Sequence, residues 1–270
     1  MANRRSDGKK DRSDGKMSRL AFITGATSGI GLATARALAG GGYRLALAAR
    51  RKDRLEEVCS EIEEKYAVRP EMFVMDVREE EQIHAAVDQC VSKNCIPDIL
   101  INDAGLARGL ESYEKTSVSD IQQMIDTNIR GLFLVTHEFL PFMVQRNTGH
   151  IVNIGSTAGL YAYAGAAVYC ATKAAVKTFS DGIRIDVIQS DIKVTTVQPG
   201  IVETPFSEIR FHGDREKAKS VYQGIEALHP EDIADVILYA LSAPKRVQIA
   251  DVVVMANQQA TGFMVYKKNK

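Results

Sequence analysis

The chain has 270 residues, 45% hydrophobic and 25% charged, and its 34 basic side chains balance 34 acidic ones. A chain of this length buries roughly three quarters of the surface its unfolded form exposes, and charge neutrality excludes a partner selected by charge, nucleic acid foremost. No apolar run approaches the ~18 residues of a membrane span, and Cys59, Cys90, Cys95 and Cys170 form no CxxC pair, which predicts reduced thiols and a cytoplasmic protein.

Residues 1–17 carry the word Arg-Ser-Asp-Gly-Lys twice, with six basic and three acidic side chains and almost nothing apolar. They read as a solvated, disordered tail that lacks the apolar segment of a secretory signal. Residues 18–270 read as one domain. Short apolar runs recur at 20–23, 44–48, 72–75, 99–101, 151–154, 194–197 and 252–255. Between them lie stretches such as 55–66 and 83–91, whose apolar residues recur every three or four positions, the period of amphipathic helices. Strands that alternate with helices in this way predict an α/β fold: a single doubly wound parallel sheet with helices on both faces. Pro199, Pro205 and Pro230 bracket an irregular polar stretch, read as a substrate lid at about 201–228 near the strand ends.

The first strand runs into Thr24-Gly25-Ala26-Thr27-Ser28-Gly29-Ile30-Gly31 and then a helical stretch. Glycines let backbone approach a ligand closely, and a helix start offers unpaired N–H groups to a pyrophosphate. The spacing is GxxxGxG, and three glycines also serve plain strand–helix packing, so the loop alone does not decide. After the second strand the chain reads Ala48-Ala49-Arg50-Arg51, with no acid until Asp53. A guanidinium at this place suits a 2′-phosphate, where an acid would suit a free 2′-hydroxyl, so NADP(H) is favoured; the alternative is that both arginines only start the next helix.

Tyr169 and Lys173 fall at i and i+4 in a helical run from 166 to 179, on one face. A cation beside a phenol favours the phenolate, the tuning a general acid or base requires. A second YxxxK, at Tyr266 and Lys270, lacks the context: Ser156 stands thirteen residues before Tyr169, just after an apolar strand, whereas Val253 holds that place before Tyr266. Asn102-Asp103-Ala104-Gly105 ends the fourth strand, Asn128 lies in a helical stretch of mixed character, and Pro199-Gly200-Ile201-Val202-Glu203-Thr204 follows the sixth strand. The five histidines show no metal-ligand spacing, so no metal is expected.

With these motifs in this order, residues 18–262 resemble the short-chain dehydrogenase/reductase family in its NADP-type branch. The resemblance implies a Rossmann-type sheet and an oxidoreductase that passes hydride between substrate and nicotinamide. It implies that Tyr169 exchanges the hydroxyl proton, that Lys173 lowers its pKa and contacts the nicotinamide ribose, that Ser156 orients the substrate oxygen, and that Asn128 supports a water relay. The cofactor site so implied comprises Gly25, Thr27, Ser28, Gly29, Ile30 and Gly31, then Arg50, Arg51, Asp76 and Val77. Asn102, Ala104, Gly105, Tyr169, Lys173, Pro199, Gly200, Val202 and Thr204 complete it. Asp103 departs from the family, which usually has asparagine there, and is a place where cofactor packing is open to weakening.

Residues 102–109, 205–214, 230–234 and 248–251 resemble NADP-dependent 3-hydroxy acid dehydrogenases, including enzymes acting on serine and L-allo-threonine. A carboxylate substrate needs a cation, and Arg210 in the lid is the candidate; a salt bridge to Glu208, to Asp214 or to a neighbouring subunit is the alternative reading of that arginine. A pocket lined by Leu106, Tyr161, Tyr163 and Phe206 would instead suit a bulkier ketone, of steroid or pterin type. A dinucleotide-sensing protein without turnover is a third reading. The resemblance also implies a homotetramer, for which Ala164, Ala166, Ala167, Ala171, Ala174 and Ala175 provide a small-residue surface.

Overall fold

The computed structural model describes residues 18–267. The expected tail at 1–17 and the last three residues, Lys270 included, lie outside them. Seven strands appear at the seven apolar runs: β1 (Leu20–Thr24), β2 (Arg44–Ala49), β3 (Glu71–Val74), β4 (Ile99–Asn102), β5 (Gly149–Ile154), β6 (Ile192–Pro199) and β7 (Asp251–Val254). They form one sheet in the order β3-β2-β1-β4-β5-β6-β7, and every neighbouring pair is parallel. The chain winds outward from β1 to β3 and then returns to add β4 on the other side of β1. That reversal opens a crevice at the carboxyl ends of β1 and β4.

Helices cover both faces. The period of two along β1 is directly visible: Ala21 and Ile23 enter one core with Leu38, Leu47, Ile62 and Ile237, whereas Leu20 and Phe22 enter the other with Phe73, Phe139 and Val194. The first core lies under α1 (Gly29–Gly40), α2 (Lys52–Tyr66) and the helix Pro230–Ser242. The second lies under α3 (Glu80–Ser92) and the helix Leu132–Gln145. The Phe22 ring meets those of Phe73 and Phe139 at centroid distances of 5.3 and 4.8 Å. A fully buried ring of this kind contributes about 1.5–3 kcal/mol through removal of its apolar surface from water.

Asn128 lies in a break between two helices, not in a regular one. α4 (Val118–Ile125) passes through a wide π turn, Asp126–Gly131, into α5 (Leu132–Gln145). Such bulges concentrate at functional sites because they turn a side chain away from the regular helix face. Here the turn is anchored by Asn128, whose amide accepts the Leu106 N–H and donates to the Leu106 carbonyl, both at 2.8 Å. α6 (Ala167–Asp186) carries Tyr169 and Lys173. The irregular stretch after β6 holds two short helices, α7 (Phe206–Arg210) and α8 (Arg215–Ser220), before α9 (Pro230–Ser242). A parallel bridge between Val202 and Leu228 closes the base of that stretch.

Candidate active site

A cavity of about 760 Å³ runs along the crevice from Arg50 and Arg51 to Tyr169 and Arg210. At its centre lies the turn between β1 and α1. Gly25 and Gly29 have φ of +71° and +55°, values that favour glycine. A Cβ on Gly25 would stand 3.0 Å from the Ala104 backbone, and one on Gly31 would stand 2.6 Å from both Asp103 Oδ2 and the Gly25 carbonyl oxygen. Close packing therefore explains Gly25 and Gly31 by itself. The ligand argument comes from the helix start: Ser28, the N-cap of α1, makes no side-chain cap bond, and no acid occupies the first turn. This leaves the positive end of α1 facing the cavity, where a pyrophosphate fits.

At one end, Arg51 Nη2 donates to Thr27 Oγ1 at 3.5 Å, and Arg50 Nη1 stands 3.7 Å from Asp76 Oδ2. Arg51 is also the N-cap of α2, so it both starts a helix and lines the cavity. Burial works against the Asp76 carboxylate, yet hydrogen bonds from Arg78 overcome it and hold the pKa below the usual range. Val77 packs on the π turn: a Cβ on Gly131 would lie 2.7 Å from its carbonyl oxygen.

The β4 end is tied to its surroundings by amides and hydroxyls. Asn102 donates to Thr136 Oγ1 at 3.0 Å and to Asn153 Oδ1 at 2.9 Å, and Asn153 donates to Ser180 at 2.9 Å. Thr24 Oγ1 accepts the N–H groups of Asp103 and Ala104, each at 3.1 Å. This brings Ala104 and Gly105 beside the catalytic candidates: a Cβ on Gly105 would stand 3.5 Å from Lys173 Nζ and 3.3 Å from Asn128 Oδ1. The Asp103 carboxylate lies behind the glycine turn. Burial raises its pKa to about 7, against the opposing pull of Lys173 and the Gly31 N–H.

Tyr169, Lys173 and Ser156 meet at the other end of the cavity. Ser156 follows β5, accepts the Ala158 N–H at 3.1 Å, donates to the Pro199 carbonyl at 3.4 Å and helps to draw the Tyr169 pKa down. Lys173 Nζ donates to the Ile154 carbonyl at 2.8 Å, and Asn128 Nδ2 donates to Thr172 Oγ1 at 3.0 Å. The expected source of phenol tuning needs correction. Burial pushes Tyr169 up to about 12, and the cation that pulls it back is Arg210; Lys173, turned toward Ile154, is brought down to about 8 by burial and faces Asp103. The i, i+4 spacing sets two side chains on one helix face, and the lid brings a further cation to the Tyr169 ring.

Arg210 projects from α7 into this end. Its guanidinium carbon stands 5.0 Å from the Tyr169 ring centroid and 5.4 Å from that of Phe206, and Nη2 donates to the Tyr163 hydroxyl at 3.0 Å. The acids that the sequence offered as its partners pair elsewhere, Glu208 with Arg215 and Asp214 with Lys217. Arg210 makes no ion pair among the described residues, and its Nε is buried without a partner. Leu106, Tyr163 and Phe206 line the cavity, whereas Tyr161 is 40% exposed and lies off it.

Past β6, the Gly200 N–H donates to the Val254 carbonyl at 2.7 Å, and Pro199, Gly200, Val202 and Thr204 line the cavity. Three residues unmarked by the sequence also shape it. Gln259 accepts the Ile201 N–H at 3.0 Å and packs where a Cβ on Gly200 would sit, while its Nε2 is buried and unpartnered. Tyr222 stands 2.6 Å from Ser207 Oγ and accepts the Thr204 N–H at 3.4 Å. Arg108 reaches from the β4 loop to α7. None belongs to a local motif; only the preceding proline–glycine turn and the loop after β4 mark their neighbourhood. Among the described residues no three His, Cys, Asp or Glu side chains gather as metal ligands.

The sheet order, the glycine turn on β1 and the Ser–Tyr–Lys cluster define a dinucleotide-linked oxidoreductase architecture, and the chain belongs to the short chain dehydrogenase family, whose model matches residues 19–214. Among its relatives, the NADP-dependent 3-hydroxy acid dehydrogenase of Schizosaccharomyces pombe is 42% identical over 258 residues, covering 95% of this chain and 98% of that protein. The enzyme of the same description from Escherichia coli K12 is 39% identical over 251 residues, covering 92% and 100%. Among solved structures, the closed form of a serine dehydrogenase complexed with NADP+ is 38% identical with a TM-score of 0.86, covering 93% of this chain and all of that one (100%). The actinorhodin polyketide ketoreductase with NADPH is 31% identical with a TM-score of 0.80, covering 88% and 96%.

Proposed function

We propose that the protein is an NADP(H)-dependent oxidoreductase that interconverts a 3-hydroxy acid, or a β-hydroxy amino acid of serine or L-allo-threonine type, with its carbonyl form. The observation that carries the substrate reading is Arg210, a cation without an acidic partner among the described residues, held 5.0 Å from the Tyr169 ring. A carboxylate that pairs with it leaves the hydroxyl-bearing carbon beside Ser156 and Tyr169. Supporting the cofactor reading are the uncapped start of α1 and the two arginines at the far end of the cavity, together with the NADP dependence of the relatives.

Bound NADP(H) supplies or accepts the hydride. The chain's own residues handle the proton and the geometry. Tyr169 gives its phenolic proton to the forming alkoxide in reduction, or takes the hydroxyl proton in oxidation. Ser156 holds the same substrate oxygen. Lys173, anchored on Ile154, would hold the ribose of a bound cofactor, and Asn128 fixes Leu106 and the start of α6 around it. The helices α7 and α8 act as the lid. In keeping with this reading, the protein works in the cytoplasm as a homotetramer.

Absorbance of the reduced nicotinamide, followed with serine, L-allo-threonine, 3-hydroxypropionate and a ketosteroid, tests the assignment. Tyr169→Phe is expected to lose about 10²- to 10⁴-fold in kcat while keeping NADPH affinity. Arg210→Ala is expected to lose about 10- to 100-fold more in kcat/KM for carboxylate substrates than for uncharged ones. Turnover of the ketosteroid only, or equal losses with charged and uncharged substrates in Arg210→Ala, overturns it.

A further inference from the structure

The loop after β4 holds the lid at two places and α4 holds it at a third. Arg108 Nη1 donates to the Ile209 carbonyl at 2.7 Å, the Gly109 N–H donates to the Arg210 carbonyl at 2.8 Å, and Asp120 Oδ2 stands 3.4 Å from His212 Nε2. The other edge of the Arg108 guanidinium is fixed on α4, where Nε and Nη2 donate to Gln123 Oε1 at 3.3 and 3.0 Å. α7 is a five-residue helix whose Ile209 carbonyl also accepts the His212 N–H at 3.3 Å, while the Gly109 N–H takes its final carbonyl, that of Arg210. Beyond it the backbone turns at His212, φ +52°, a conformation rare for a side-chain-bearing residue.

We propose that Arg108 is a positioning residue for carboxylate recognition: its planar fork spans α4 and the carbonyl beside Arg210, and so sets where Arg210 meets the substrate. The proposal rests on the 3-hydroxy acid reading above. The geometry asks for arginine specifically. One guanidinium presents donors along two edges at fixed angles, so it bridges Gln123 and Ile209 at once, whereas a lysine ammonium is a single point on a flexible stem. The unpaired Arg210 is the group that gains most from such bracing. With no acid among the described residues to hold it, its position depends on the Tyr163 hydroxyl, the aromatic faces beside it and the placing of its own backbone. Arg108 also lines the cavity, so direct contact with substrate is the competing explanation.

A double-mutant cycle separates the two. In the full-length enzyme, Arg108→Leu is expected to raise KM for 3-hydroxypropionate about 3- to 10-fold, the worth of one or two such hydrogen bonds. It leaves the NADP(H) dissociation constant near wild type. Arg108→Lys fails to restore KM, and Gln123→Met, which frees the fork while keeping the arginine, moves KM the same way. In an Arg210→Ala background, Arg108→Leu adds nothing, because the clamp acts through Arg210. Additive losses in the double variant would mean that Arg108 touches substrate itself and would overturn the proposal. So would an unchanged KM in Arg108→Leu while Arg210→Ala loses carboxylate selectivity. If Arg210→Ala itself keeps that selectivity, it is the substrate reading that fails.

Discussion

Tyr169 sits between two opposing influences, burial that favours the neutral phenol and the Arg210 guanidinium that favours the phenolate. Removing Arg210 therefore raises the Tyr169 pKa further. For Arg210→Ala the rising, acid limb of the kcat/KM profile for oxidation of an uncharged alcohol is expected to move to higher pH; an unmoved limb would show that Arg210 does not act on the phenol. Asp103 offers a test on stability. Its folded pKa, about 7, stands above the unfolded value near 3.8, so folding favours its protonated form. That contribution is complete below the unfolded value and is lost as pH rises through the folded one. Between pH about 4 and 7, urea midpoints of the wild type should fall relative to those of Asp103→Asn. Parallel curves would place the Asp103 proton elsewhere.

Among the elements, the π turn and α6 frame the site together. Asn128 satisfies both backbone groups of Leu106 and reaches Thr172, which donates to the Tyr169 carbonyl at 2.8 Å. Asn128→Ala leaves the Leu106 N–H and carbonyl unpaired in a buried setting, at a cost of about 1–3 kcal/mol for each group left so. A lower melting temperature together with reduced turnover is expected, and retention of both would mean that water replaces the amide. The strands were legible because parallel strands buried on both faces are continuous apolar runs, and the structure moves their ends by only a few residues, as at β3 (Glu71–Val74). The π turn was not legible. Its sequence has ordinary helix formers, and what opens the helix there is a partner 22 positions away.

For the molecule as a whole, the described residues contain no helix long and apolar enough to cross a membrane. Several large apolar side chains stand exposed, among them Val118 at 80% and Ile185 and Ile188 at 69% and 78%. The homotetramer proposed above rests on the family resemblance, and its subunit number is open to direct measurement. Light scattering is expected to give four times the mass of the 29.6 kDa chain, and a monomer at micromolar concentration would exclude that assembly.

The order of strands and helices, the glycine turn, and the Tyr169 and Lys173 pair follow from local chemistry: apolar periodicity, φ preferences and the helix repeat act within a few residues, so the sequence alone determined them. Long-range proximity decided the rest. Which cation faces the phenol, which acids leave Arg210 unpaired, and how Arg108 and Gln259 come to line the cavity depend on where distant segments land. Electrostatic and hydrogen-bond energies fall off within a few ångströms, and only the folded sheet, by bringing β4, α6 and the lid to one edge, sets those distances.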